Sequence, residues 1–480
     1  MNVQEARLKI AHAAIAVLAA TAPPAAAQPA PAPAAGDQPP ANREVTAADV
    51  AGAPQPGNES GRIDVENRDS TARRALRGVL YVPKVLVQVV LAPFQLPVWA
   101  YDHYHLRDRY YRTFYNEDRT IGLIPTASYA TDFGFTAGAK FLHTDLAGQR
   151  ESLWASAQFG GTYQQAFQAY VDSGDRLGDH LVVSLFGAYE KHPRDIFYGI
   201  GNHDTTDEPP VPVDPYTTDV TVKTRFRQRI ERFVGAIDWR IFDDLYLVSS
   251  NEVTDRHFSG STTGTDITDV FDTATLVGWP STKYFYTELA LRYDTRDRYN
   301  LFEPGAFYSV GTLAEAWGGF NHALNNLPDY WRYGINLQHF IRLAESPRVI
   351  MLRFRGEAVS AGLDDVPFDM LPRLGGPRDL RGYTPDRFRD RVAWYGTAEY
   401  SWDLSNYVAA ALFTDVGRVY PSLDDITYKN MRAGFGFALR FYGESSFWLD
   451  ISLATSVDGG AQLTAAFDPI YLVKPRARRR

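Results

Sequence analysis

The chain contains no cysteine. A disulfide framework is therefore excluded, and so is any metal site held by thiolates. Positive charge is not in excess either. There are 49 Lys and Arg against 57 Asp and Glu, a formal net charge of -8, which argues against a nucleic-acid binder. Neither Gly-x-Ser-x-Gly nor His-Glu-x-x-His occurs, so the commonest hydrolase signatures are missing. Mean hydropathy is only -0.29, which excludes a bundle of membrane helices. Aromatic residues, by contrast, are plentiful: 14% of 480 residues, with 28 Tyr and 28 Phe. Many aromatics with low average hydropathy suit a transmembrane β-barrel, whose alternate residues face water and whose interfaces carry aromatic girdles. A large secreted all-β protein would have a similar composition.

The N-terminal part reads in three pieces. Arg7 and Lys9 precede the apolar run "IAHAAIAVLAATA", and Ala25-x-Ala27 offers a cleavage site. Residues 1–27 are thus expected to be a secretory signal peptide, although Glu5 is unusual in its basic region. Residues 28–70 are rich in Ala, Pro, Gly and Asp, too poor in apolar bulk to form a core, and are expected to be a disordered linker. Residues 71–119 contain the almost wholly apolar stretch Val79 to Ala100, interrupted by Pro83, Pro93 and Pro97. Those prolines argue against one continuous spanning helix. Short helices on the inner rim of a barrel or in the interfacial plane are expected instead, followed by an anchoring tract of Tyr, Arg and His.

From about Thr120 the apolar period becomes two. "YFYTELALRYD" sets Phe285, Thr287, Leu289, Leu291 and Tyr293 against Tyr286, Glu288, Ala290, Arg292 and Asp294. "RVIMLRFRGEAVS" and "SFWLDISLAT" alternate in the same way. Several segments run to ten or more residues, the length a tilted strand needs to cross a bilayer, whereas sandwich strands average about five or six. The pattern predicts an all-β fold, a sixteen-stranded antiparallel transmembrane barrel over residues 120–480. Its strands are expected near 120–130, 133–143, 151–161, 163–173, 180–190, 227–242, 245–258, 282–295, 305–318, 330–344, 347–361, 392–404, 407–417, 429–441, 446–455 and 461–470. Short connections fall on one side. The long ones, 191–226, 259–281, 319–329 and 362–391, fall on the other, the asymmetry of outer-membrane barrels.

The last of those long loops contains "GGPRDLRGYTPDRF" and could fold into the lumen. Arg381 would then be a charge removed from water, tolerable only if paired. On the flanking strands the alternation points Glu399 and Asp415 inward, and a planar guanidinium can bridge two carboxylates.

Several segments resemble the BamA/TamA-type bacterial surface-antigen barrels. "LGGPRDLRGY" is similar to the Arg-Gly-Tyr/Phe tip of that family's lumenal loop. "YDTRDRYNLFEPGAFY" resembles its Asp-Thr-Arg-Asp … Pro-x-Gly periplasmic turn, which carries over to Asp294, Arg296, Asp297, Pro304 and Gly305. "FTDVGRVY" resembles its Phe-x-Asp-x-Gly strand and "IFYGIGN" the start of an outer loop. The resemblance spans roughly Thr120 to the C-terminus. It implies a sixteen-stranded barrel with a weak seam between first and last strands, and a loop lock of Arg381, Gly382 and Tyr383 against Asp415 and Glu399. It also implies a role in inserting or exporting proteins at the outer membrane of a Gram-negative bacterium. No periplasmic POTRA pattern precedes Thr120, so the branch lacking such domains is expected. The end "AAFDPIYLVKPRARRR" lacks the usual terminal aromatic, and the closing strand is expected to pair unconventionally with the first.

Blander readings stand beside these. Arg381 could brace the loop without gating anything. The "DTRD" stretch reads as a salt-bridged turn whose exposed pairs contribute little. Arg353 and Arg355 read as a solvated lumen face or as an anion-selective ring. Gly434 and Gly436 in "GFGFALR" lack the third glycine of a nucleotide loop and read as strand glycines. His103, His105 and His203 lack metal-ligand spacing, and no cofactor is implied. Three functional classes remain: an assembly or translocation factor, a gated or passive pore, and a barrel enzyme. The last needs a catalytic cluster near the outer rim, and the sequence offers none. The expected partners are outer-membrane lipids, client outer-membrane proteins and periplasmic factors.

Overall fold

The computed structural model describes residues 103–178, 180–204, 214–216, 222–296, 310–343, 348–405, 408–442 and 447–466. The expected signal peptide, linker and apolar stretch lie outside the described residues, as do Asp297, Pro304, Gly305 and the basic tail. The described chain opens with helix α1 (Leu106–Phe114) and continues into strands β1 (Ile121–Ala130), β2 (Gly134–His143), β3 (Leu153–Gly160) and β4 (Tyr163–Asp172). Four longer strands follow: β5 (Leu181–Phe197), β6 (Thr224–Phe242), β7 (Leu245–Gly260) and, after the short helix α2 (Ile267–Val270), β8 (Ser281–Asp294). Then come β9 (Gly311–Ala323), β10 (Tyr330–Arg342) and β11 (Arg348–Val359). The next loop holds a small hairpin, β12 (Arg373–Leu374) with β13 (Phe388–Arg389). The wall resumes with β14 (Val392–Ser405), β15 (Val408–Tyr420), β16 (Arg432–Tyr442), β17 (Phe447–Ser456) and β18 (Ala461–Ala466). All but β12 and β13 form one closed antiparallel barrel in which sequence neighbours pair and β18 returns to β1.

The alternation places the side chains as the pattern requires. Outward positions such as Phe135, Phe159, Phe233, Ile237, Leu289, Leu352, Leu412 and Leu453 are exposed apolar groups, whereas inward Glu288, Asp294, Glu357, Glu399, Asp415 and Asp450 are buried. An apolar exterior around a charged interior is the inverse of a soluble protein and fits a wall facing lipid. No described helix is long and apolar enough to cross a membrane.

Two strand boundaries and one contact differ from expectation. β5 runs to Phe197 rather than 190 because Pro193 is accommodated at a register shift between His192 and Asp195. Such a bulge spares the ladder the missing N–H. β9 covers Gly311–Ala323 rather than 305–318. Gly319, where the connection 319–329 is expected to begin, lies within the strand, and the Tyr286 ring occupies the space where a Gly319 Cβ would sit. The Asp294–Arg296 pair is buried, not an exposed turn contact. Asp294 holds an inward position of β8, and Arg296 reaches it through Nε and Nη2 at 2.8 Å each and Gln338 at 3.1 Å.

The rim carrying the long loops, the upper rim here, is roofed. Phe368 packs against the rings of Phe197, Phe226 and Phe258 at centroid distances of 5.0–5.6 Å. Loop residues 198–203 tie onto the hairpin: Gly201 N donates to Arg389 O at 2.8 Å. Asn202 exchanges two hydrogen bonds with the Val419 backbone, at 2.8 and 3.1 Å.

Candidate functional site

Residues 360–391 descend from the upper rim into the barrel. A second apolar cluster seats them: Leu374, Leu380, Tyr383 and Phe388 from the loop against Ala393, Tyr395 and Val419 of β14 and β15. Each residue of Arg381-Gly382-Tyr383 then has a separate task.

Arg381 is buried with its guanidinium between two strands. Nε and Nη2 donate to Asp415 Oδ2 and Oδ1 at 2.7 and 2.8 Å, the bidentate geometry a planar fork permits. Nη1 donates to Glu399 Oε2 at 3.1 Å, and the backbone N–H adds a fourth bond, to Asp415 Oδ2 at 3.0 Å. Thr397 Oγ1 donates to Asp415 Oδ1 at 2.8 Å. The guanidinium carbon lies 3.4 Å from the Phe413 ring centroid, so one face of the cation is covered by an aromatic. Gly382 adopts φ +94°, and a Cβ there would stand 2.2 Å from Thr455 O. Only glycine combines that dihedral with that approach to β17. Tyr383 donates its hydroxyl to Asp458 Oδ2, in the β17–β18 turn, at 2.8 Å. Burial, then the Asp458 carboxylate, holds the Tyr383 phenol well above its ordinary pKa, so it remains a donor at physiological pH. Gly434, on β16 opposite Asp415, completes the seat. An added Cβ would lie 1.7 Å from the Arg381 carbonyl oxygen.

The network extends beyond the residues singled out from the sequence. Arg440 of β16 donates to both oxygens of Glu399, through Nη2 to Oε2 at 3.0 Å, and its Nε donates to Asp450 Oδ2 on β17 at 2.8 Å. Asp415, Arg381, Glu399, Arg440 and Asp450 thus alternate in sign across β14 to β17, every member at most 4% exposed. The alanines at inward positions 409 and 411 of β15, both fully buried, leave the space across which Arg440 reaches Glu399. Arg440 and Asp450 are a directly opposed cross-strand pair, a signal that the two-residue period carries once the register of β16 on β17 is fixed. Arg353 and Arg355 also hold the loop. Arg353 Nη1 donates to Arg378 O at 3.2 Å, and Arg355 is shared between Glu357 at 3.0 Å and Asp379 at 3.5 Å. Neither forms a simple solvated face. Asp294 and Arg296 lie at the opposite end of the lumen and do not join this network. Among the described residues no cluster of His, Cys, Asp or Glu could hold a metal ion.

Tyr383→Phe removes one hydrogen bond to a charged acceptor that is 44% exposed. The expected cost is about 1 kcal/mol of loop docking, read as a modest rise in protease cleavage within 376–391.

The other notable feature is the seam. β1 and β2 pair through ten residue pairs, Ile121↔His143 to Ala130↔Gly134. β1 and β18 share two, Tyr129↔Ala465 and Ala130↔Thr464. Thr131 Oγ1 adds a clasp, accepting from Leu463 N at 2.9 Å. Lower down, Tyr115 bridges Gly122 on the edge of β1 that β2 leaves open, with Asn116 N donating to Ile121 O at 2.9 Å. A Gly122 Cβ would meet the Tyr115 ring at 3.0 Å. The segment after α1 therefore caps the lower end of the seam.

No curated protein sequence matches the chain. Among solved structures, BamA from Haemophilus ducreyi lacking POTRA domains 1–3 shares the fold with TM-score 0.51 and 14% identity, over 72% of this chain and 70% of that one. CdiB from Acinetobacter baumannii matches with TM-score 0.44 and 12% identity, and CdiB from Escherichia coli with TM-score 0.47 and 11% identity. This chain covers 59% and 62% of those two, which cover 72% and 71% of it. Residues 146–454 match the Omp85 superfamily domain. That match takes in more than half of the sequence, including the inward acids, the lumenal loop and its Arg-Gly-Tyr tip, and the chain belongs to the Omp85 superfamily.

Proposed function

We propose that the protein sits in the outer membrane of a Gram-negative bacterium and assists insertion or translocation of polypeptides, or of lipids, at the β1–β18 seam. It is not an enzyme in this reading, and its partners are client outer-membrane proteins and periplasmic factors. One contrast carries the proposal: a loop is firmly anchored inside the lumen on β14 to β17, while the wall is thinly paired at the β1–β18 seam. A loop enters the lumen and is held through a buried five-member ion network, whereas the seam is held by two residue pairs and a threonine clasp. A solute pore needs an open lumen, and a loop anchored inside it weighs against that alternative. A strand-exposing seam offers unpaired N–H and C=O groups to an incoming strand.

Depletion in the native organism tests this. The expected result is a several-fold fall in the level of other outer-membrane proteins, with solute uptake following only later. Altered uptake with unchanged protein levels would favour the gated pore.

A further inference from the structure

The wall is not uniform in height. β1 to β4 have 10, 10, 8 and 10 residues, whereas β5 to β8 have 17, 19, 16 and 14. The extra length lies at the upper rim, where Phe197 pairs with Thr224 beyond the last β4–β5 pair, Gln165↔Lys191. On its outer surface the residues change character abruptly. Below, Leu185, Phe233, Val253 and Phe285 continue the apolar belt. Above it stand Lys191 on β5, Arg227 and Arg229 on β6, His257 on β7 and Lys283 on β8. The register makes them neighbours: Lys191 is opposite Arg229, and Arg229 is opposite His257. Lys283 lies opposite Asp255, one row lower.

We propose that this patch binds the phosphate groups of an outer-leaflet glycolipid. Height comes first. Lys283 is two residues above Phe285 and Arg229 four above Phe233, roughly 7 and 13 Å along strands rising 3.3 Å per residue. With the usual tilt this is the headgroup layer just outside the hydrocarbon core. Chemistry comes second. Adjacent strands lie about 4.8 Å apart, so Lys191, Arg229 and His257 converge within about 10 Å, and arginine presents a fork matched to phosphate oxygens. Third, the two acids in the patch are too few to balance its cations: Glu231 is 3.4 Å from Arg229, and Asp255 is shared, 3.1 Å from His257 and 3.3 Å from Lys283. Four lysines and arginines against two acids leave an excess of positive charge on a protein whose overall charge is -8. Outward placement separates this patch from the lumenal network.

The inference depends on the outer-membrane reading for the height of the belt. Incorporation of the wild-type barrel into phosphatidylcholine nanodiscs tests that reading alone. The inference itself is tested with the full-length protein in such discs, titrated with bisphosphorylated lipid A and read by native mass spectrometry. The wild type is expected to retain lipid A. The triple variant Lys191→Ala, Arg229→Ala, Lys283→Ala is expected to weaken retention about tenfold or more with heat-modifiable gel mobility unchanged. Should the triple variant fold poorly, Lys283→Glu alone is expected to weaken retention. Arg348→Ala removes an exposed cation at the opposite end of the wall and is expected to change nothing. Unchanged retention in the patch variants, equal loss in Arg348→Ala, or full displacement of lipid A by millimolar inorganic phosphate would each overturn the proposal.

Discussion

Arg381→Ala is expected to release the loop from the lumen and to raise leak conductance in planar bilayers. The wild-type guanidinium satisfies both oxygens of Asp415 and one of Glu399. Truncation leaves Glu399 with Arg440 but strips Asp415 of the guanidinium that met both its oxygens, leaving Thr397 and the loop N–H. Removing one member of a buried ion pair costs about 3–5 kcal/mol, which raises the undocked fraction of the loop by roughly two to four orders of magnitude. Arg381→Lys should fall between, since a point charge cannot reproduce the fork. The double variant Arg381→Ala, Asp415→Asn should recover part of the loss, because no unpaired carboxylate remains. Conductance and gel mobility identical to wild type in Arg381→Ala would show that the network does not hold the loop.

The second large effect separates shape from charge. Gly434→Ala is expected to undock the loop nearly as fully as Arg381→Ala while leaving every charge in place. A Cβ at 1.7 Å from the Arg381 carbonyl forces the loop backbone to retreat by about 1.8 Å to reach ordinary contact distance. Hydrogen bonds of 2.7–3.1 Å between Arg381 and the wall do not survive that displacement. Backbone stands on both sides of the clash, so no side-chain rotation relieves it. Gly187→Ala, where nothing lies within 4 Å of the added Cβ, is the control and should be neutral. Loop protection equal to wild type in Gly434→Ala, measured by limited proteolysis within 376–391, would show that the tip is not seated on β16.

Much of this was legible in the sequence because a two-residue period fixes which face a side chain takes. The inward placement of Glu399 and Asp415 followed from "WYGTAEYSW" and "AAALFTDVG" alone, and the Arg-Gly-Tyr motif supplied the cation. What was not legible depended on which strand lies beside which. Arg440 reaches Glu399 only because β15 between them presents alanines at 409 and 411, a fact about register rather than composition. The extent of β9 was hidden by glycines that make room for a neighbour's aromatic ring. Pro193 disguised the top of β5, and with it the raised wall that carries the cationic patch. The cap formed by Tyr115 on Gly122 joins residues seven apart through an isolated bridge, which no periodicity announces.

The claim that traffic passes at the seam is tested most directly by closing it. The natural chain has no cysteine, so the paired substitutions Ala130→Cys and Thr464→Cys, at facing positions of β1 and β18, introduce the sole possible disulfide. In cells relying on this variant, oxidation is expected to lower the levels of other outer-membrane proteins as depletion does, and a reductant is expected to restore them. Normal levels with the bond quantitatively formed would contradict the account.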